Sequence, residues 1–268
     1  MLSVLPFATC AASLHAGAPA DTWGYTLFNP TPSERMRELS TDRPDTTESP
    51  ISVDAGHIQI EMSVFDYGRN DDGGIREEVL TYGATNVKFG LLDNVDLQIV
   101  FDAYTEVKTE DVTVEGFSDI QARLKINLWG NDGGKTALAF FPFIKIPTGT
   151  ALSSDKVEGG IILPFSLELT DTIGLGLMAE ADFVRQDPGN GYHTEFVHTA
   201  VIGFEVTGKL GAFVEYVGVA GPSAYQASSV VGLTYGLSDD LQLDAGLRLG
   251  LNEAAEDLGA FTGISFRF

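Results

Sequence analysis

The chemistry-bearing residues of this chain come in ladders. Over "DIQARLKINL", Asp119, Gln121, Arg123, Lys125 and Asn127 alternate with Ile120, Ala122, Leu124, Ile126 and Leu128. Over "LQLDAGLRLG", Gln242, Asp244, Gly246, Arg248 and Gly250 alternate with Leu241, Leu243, Ala245, Leu247 and Leu249. A period of two places every charge of such a segment on one face of a β-strand and every apolar group on the other. Ionised groups at alternate positions are costly in a dry core and suit a wall that meets water. The chemistry open to such a wall is electrostatic, because opposed acidic and basic groups along a passage favour cations and orient a polar solute. The plain alternative is a solvated outer surface, and alternation alone does not separate the two.

Covalent and metal chemistry has less support. His57, His193 and His198 are the only histidines beyond residue 20 and are too scattered for a metal site. No phosphate-cradling glycine loop and no glycine fingerprint between a strand and a helix is present. The stretch "YHTEFVHTA" contains nothing like a His, Ser and Asn nucleophile cluster. These residues point away from an enzyme and imply no cofactor and no metal. With 38 acidic and 16 basic residues, a net charge of -22 and no basic stripe, nucleic acid is not an expected partner.

The elements that must hold the ladders are strands. At 268 residues one large β-domain is expected. The mean hydropathy is +0.07 and no apolar run approaches the ~18 residues of a membrane helix, but a transmembrane barrel hides from hydropathy because its two faces average out. The thirty glycines, with abundant Val, Ile, Leu, Phe and Thr, suit strands and tight turns. Residues 1–20 read as a signal peptide containing Cys10, the only cysteine, so no disulfide framework is expected. Residues 21–56, rich in proline and without alternation, read as a short N-terminal periplasmic leader. Within it Thr31, Pro32 and Glu34 predict a capped helix of about two turns.

From residue 57 to 268 the pattern is a succession of alternating segments, about twelve in number: 57–67, 79–92, 95–106, 117–130, 135–146, 157–170, 173–185, 193–206, 209–219, 225–236, 241–251 and 258–268. Short links ("DN", "NDGG", "DT", "TGK", "SDD") alternate with links that tend to be longer ("GRNDDGGIREE", "KTEDVTVEG", "PTGTALSSD", "RQDPGNGY"). Asp93, Asp171 and Asp239 punctuate three similar tight turns, where their expected role is to satisfy turn backbone. This asymmetry, an even strand count and the closing "GAFTGISFRF" predict an all-β fold, a single antiparallel transmembrane β-barrel of the Gram-negative outer membrane. Trp129, Tyr216, Tyr235 and Phe268 fall where interfacial rings would lie.

On that fold the expected lumen-lining residues are Asp102, Arg123, Lys125, Lys145, Glu168, Glu180, Asp182, Glu205, Glu215, Asp244 and Arg248, with Glu61, Asp96 and Lys88 on the same side. Asp42, Arg43 and Asp45 are expected to act as a periplasmic plug, with Arg43 pairing to lumen carboxylates, or else merely to form the turn before the first strand. The segments "STDRPDTTESPISVDAGHIQIEMSVFDY" and "FFPFIKIPTGT", with the terminal aromatic strand, make the chain resemble the outer-membrane family named for the meta-cleavage pathway of phenol degradation, from about Ser40 to Phe268. The resemblance implies an outer-membrane channel that passively passes small, aromatic or hydrophobic, organic solutes. Expected partners are outer-membrane lipid, that solute, and the barrel-assembly machinery through the strand ending at Phe268. A non-conducting structural or adhesion barrel is the first alternative, a barrel hydrolase the second.

Overall fold

The computed structural model describes residues 24–186 and 191–268. The expected signal segment lies outside the described residues, as does part of the "RQDPGNGY" loop. The described chain is almost wholly β: β1 (Ile58–Asp72), β2 (Ile75–Leu92), β3 (Val95–Thr109), β4 (Val112–Gly116), β5 (Ile120–Trp129), β6 (Thr136–Ile146), β7 (Glu158–Thr170), β8 (Ile173–Arg185), β9 (Tyr192–Thr207), β10 (Leu210–Ala220), β11 (Gln226–Ser238), β12 (Leu241–Gly250) and β13 (Leu258–Arg267). Neighbours pair antiparallel around a ring that β13 closes on β1, from Gln59 opposite Arg267 to Arg69 opposite Leu258. Twelve strands form the ring, and β4 hangs on β3 outside it. Closure leaves the wall without a free edge, the condition for placing strands in lipid. Reciprocal backbone bonds of 3.0 Å between Ile58 and Phe268 fix both ends of the barrel on one rim.

The faces fall as strand alternation requires. Leu163, Leu177, Ile202, Phe204, Val214, Leu233, Leu243 and Leu247 are exposed on the outside, while the inward Gln59, Glu61, Lys88, Gln98, Lys125 and Glu215 are fully buried. Water cannot be the solvent of such an exterior, so the chain is an outer-membrane barrel. Trp129, Tyr216, Tyr235 and Phe268 are exposed on that surface, as interfacial rings are.

Three expectations need correction. The supposed loop "GRNDDGGIREE" is strand: β1 and β2 run on to a tight turn at Gly73 and Gly74, whose φ of +58° and +88° suit residues without Cβ. Residues 70–76 lie past the last β1–β13 pair, Arg69 with Leu258, and the last β2–β3 pair, Glu77 with Thr109, in a two-stranded tip of the hairpin that need not follow the wall's apolar alternation. "KTEDVTVEG" likewise folds back as the β3–β4 hairpin, from Thr105 opposite Gly116 to Thr109 opposite Val112. The two-turn helix near Thr31 is a single 3-10 turn, Ser33–Arg35, without a side-chain cap; Met36 is already extended because the chain must turn into the barrel.

Candidate functional site

The interior of the barrel holds its own leader. After the 3-10 turn the chain enters from the rim of the short turns, reaches mid-height at residues 43–48, and returns along the wall to β1. Its contacts are mainly electrostatic. At the rim Arg37 donates to Asp54 (3.1 Å), Asp93 (2.7 Å) and Asp132 (2.9 Å), joining the leader to the β2–β3 and β5–β6 turns. Arg267 of β13 adds a second bond to Asp54 at 3.0 Å and reaches Asp240 at 2.7 Å.

Deeper in, Asp42 lies between Lys88 of β2 and Lys125 of β5, the latter at 2.9 Å, and Lys88 also meets Glu61 of β1. The Glu61 carboxylate accepts the backbone N–H groups of Asp42 (2.9 Å) and Arg43 (3.0 Å). Burial pushes the Asp42 carboxyl up, but the ammonium groups of Lys125 and Lys88 outweigh it and hold the group well below the usual carboxylate range. The Arg43 guanidinium donates to Asp244 of β12 at 2.7 Å and to Ser63, and lies 5.9 Å from the centre of the Phe261 ring. Wall glycines make room for the insertion: a Cβ at Gly90 would collide with the Asp54 carbonyl, and one at Gly263 with the Arg43 guanidinium.

At the tip, Glu215 of β10 accepts Thr46 N–H (2.8 Å), Thr47 N–H (2.7 Å) and Thr47 Oγ1 (2.7 Å). Thr47 also shares a 2.6 Å hydroxyl bond with Thr199 of β9. Arg123 holds Glu48 at 2.5 Å. Burial is the main cause, and Asp42 the next, that raises the Glu48 carboxyl to about 7 against the pull of Arg123.

Of the residues singled out from sequence, Asp42, Arg43, Arg123, Lys125, Glu215 and Asp244 meet in this one network. Asp45 is buried within the leader. Lys145, Glu180, Asp182, Arg248 and Asp102 face inwards nearer the other rim: Lys145 pairs with Glu158, and Arg248 with Asp66 (2.6 Å) and Glu256 (3.0 Å). Glu168 and Glu205 lie half-buried at the short-turn ends of β7 and β9, apart from the network. Sequence reasoning missed Arg37, Asp54, Thr47 and Glu48. A segment so rich in charge and hydroxyl groups, yet without alternation, was the available signal. Asp93 does more than satisfy its turn, since its carboxylate holds Arg37.

The lumen is not polar throughout. Val201, Phe213, Val217, Val230 and Phe261 form one buried cluster, and Ala139, Phe141, Ile162 and Met178 another, with Val197 touching both. These are inward positions of β6 to β11 and β13, strands that also carry the inward Glu180, Asp182 and Glu215, so apolar and charged groups share that part of the lumen. Among the described residues no group of three metal-ligating side chains is gathered.

The family model described as "Putative MetA-pathway of phenol degradation" matches residues 41–268. The chain belongs to that family. The matched region begins at Thr41, so the leader tip and the whole ring of this phenol-degradation-family barrel lie within it. Among solved structures the family member is similar to the NanC porin, with a TM-score of 0.52, 10% identity, and coverage of 78% of this chain and 98% of that one. It is also similar to the KdgM porin, with a TM-score of 0.50, 11% identity, and coverage of 79% and 99%. At such identities the likeness concerns the fold. No curated protein matches the sequence.

Proposed function

We propose that this chain is an outer-membrane channel through which small organic solutes diffuse, narrowed on its periplasmic half by its own leader. The observation that carries the reading is the mixed lumen: inward charges sit beside inward rings, Lys125 4.7 Å from the centre of Phe141 and Arg43 5.9 Å from that of Phe261, inside a wall whose exterior is apolar. A solute with an apolar body and a polar edge finds both partners there, which favours aromatic or similarly amphiphilic molecules over sugars or ions. In this reading Arg123, Lys145, Glu180 and Asp182 orient the polar edge above the leader, Asp42 and Arg43 anchor the plug, and Asp45 is part of its buried frame. The strand ending at Phe268 is the segment offered to the assembly machinery. No step requires a cofactor or a covalent intermediate.

The test is flux into liposomes and single-channel current in planar bilayers with the refolded protein. Uptake of single-ring aromatics well above that of sugars of equal mass is expected. Absence of both current and uptake in correctly folded barrels overturns the reading in favour of a non-conducting structural barrel, which the close filling around Phe141 and Val201 would suit.

A further inference from the structure

The leader is held unequally around the lumen. On the side of β2, β3 and β5 it is bonded along its length: besides Asp42 with Lys88 and Lys125, Val53 N–H donates to Asp96 (2.9 Å), Lys125 to the Ile51 carbonyl (3.0 Å), Asn127 to the Pro50 carbonyl (2.8 Å), and Ser52 N–H to Asn131 (2.9 Å). Toward β9 and β10 the tip is held chiefly by the Glu215 carboxylate and the Thr199 hydroxyl. Below that point, between leader residues 33–39 and the short-turn ends of β9 to β12, lies a cavity of about 200 Å³. Met36, Leu39 and Leu241 are among its lining residues, as are Arg37 and Arg267, whose guanidinium groups already serve carboxylates. Gly211, also in the lining, Phe213 and Glu215 follow one another along the inward face of β10, so the cavity ends two inward positions, about 13 Å of strand, below the latch, with the buried Phe213 between them.

We propose that solute leaves the barrel through this cavity, and that the passage opens when the leader tip releases Glu215 and Thr199 while its base stays bonded to β2, β3 and β5. The inference rests on the channel reading and adds the exit route and its gate. The cavity sets the solute class. Its arginines are engaged, the rest of its lining sets Met36, Leu39 and Leu241 beside the charged Glu38, Lys209 and Asp239, and a cavity of roughly 150 Å³ is already enough to hold benzene. A single-ring organic molecule with a polar edge fits; a much larger one does not. The gate has a physical basis in concentration: three donors of the tip converge on one buried carboxylate, so a single change removes its hold on β10, while Arg123 with Glu48 and Arg43 with Asp244 stay bonded and form the pivot.

The experiment uses the full chain with Cys10→Ser and two double-cysteine variants, Thr47→Cys with Thr199→Cys and Ser52→Cys with Asn131→Cys. Oxidising the first pair is expected to abolish current and aromatic uptake, with recovery on reduction; oxidising the second leaves both as in its reduced form. Persistence of flux through the oxidised tip pair overturns the gate, and loss of flux through the oxidised base pair shows instead that the whole leader must leave. Current missing from the wild type and from both reduced variants is a failure of the channel reading. The latch has its own readout: Glu215→Gln should raise the thiol-labelling rate of a single Thr47→Cys roughly tenfold in detergent, the change expected from weakening charge-assisted hydrogen bonds. An unchanged rate overturns the latch whether or not current is found.

Discussion

Replacing Lys88 by Met should release the leader without unfolding the barrel. Lys88 has no exposed surface, and its ammonium sits between the carboxylates of Asp42 and Glu61, themselves almost or fully buried. Methionine fills a similar volume but leaves two buried negative charges with one cation fewer. Breaking a buried ion pair by removing one partner costs about 3–5 kcal/mol. At about 1.4 kcal/mol per factor of ten, the docked leader should lose roughly two to four orders of magnitude in its equilibrium with an undocked form. The cost falls on docking because the ring is held by ladders that do not involve this side chain, including the β1–β13 closure. Limited proteolysis of detergent-folded protein measures the leader, and the heat-modifiable mobility of the barrel on gels measures the ring. Cleavage at residues 36–50 should accelerate steeply while the barrel stays resistant. Adding Glu61→Gln to Lys88→Met should restore part of the protection, because it removes one of the stranded charges. A leader as protected in Lys88→Met as in the wild type would refute the reasoning, and so would collapse of the barrel at the same rate as loss of the leader.

Arg37→Ala should loosen the leader at the rim by about 3 kcal/mol or more, since it strands carboxylates that include the buried Asp54, and Arg37→Lys should not restore protection because an ammonium cannot span three partners; protease mapping of residues 30–40 checks both. Tip docking should respond to pH through Glu48, which faces Arg123 and feels Lys125, Lys88, Asp42 and Glu180. Its carboxyl is raised from 4.5 to about 7 by burial, so its contribution is fully present below pH 4.5 and is lost as pH rises to about 7, a trend that thiol labelling of Thr47→Cys should show and Glu48→Gln should flatten. Asp42 works in the opposite sense: its lowered value stabilises docking above the usual carboxylate range, and that contribution fades only in stronger acid. In the outer loop, hydrogen bonds from Ser154 and Thr148 outweigh burial and lower the Asp119 carboxyl to about 2, so Asp119→Ala should expose residues 148–155 to protease at neutral pH. Leu247→Arg, on the exposed face of β12, should destabilise the barrel by about 2–4 kcal/mol in lipid, measured by urea unfolding in vesicles.

The ring of hairpins was legible because a strand writes its two faces into the sequence. Asp244 and Arg248 against Leu243 and Leu247 state which side is wet as soon as one knows which side meets lipid, and the tight turns at Asp93, Asp171 and Asp239 locate one rim. The extension of β1 and β2 past Arg69 was illegible for the same reason: a hairpin tip that pairs with neither neighbouring strand need not follow the wall's alternation, so "GRNDDGGIREE" looks like a loop. The apolar clusters of the lumen were overlooked because Phe141, Val201 and Phe213 occupy inward positions in strands whose outward positions are apolar too, and a strand apolar on both faces carries no signal of which group points in.

The sequence by itself determined the barrel: alternation, turn chemistry and the closing aromatic strand are local properties, and a two-residue period propagates them along every strand. Only the tertiary structure decided where the leader goes. Residues 31–56 have no period of their own, and their partners Lys88, Lys125, Glu215, Asp244 and Arg267 lie between 46 (Asp42 to Lys88) and 213 (Asp54 to Arg267) positions away in the chain. Asp42, Arg43 and Asp45 read along the chain either as a plug or as a turn before the first strand; the closed ring sets Asp42 and Arg43 against opposite charges, because buried ions must find partners and the lumen supplies them.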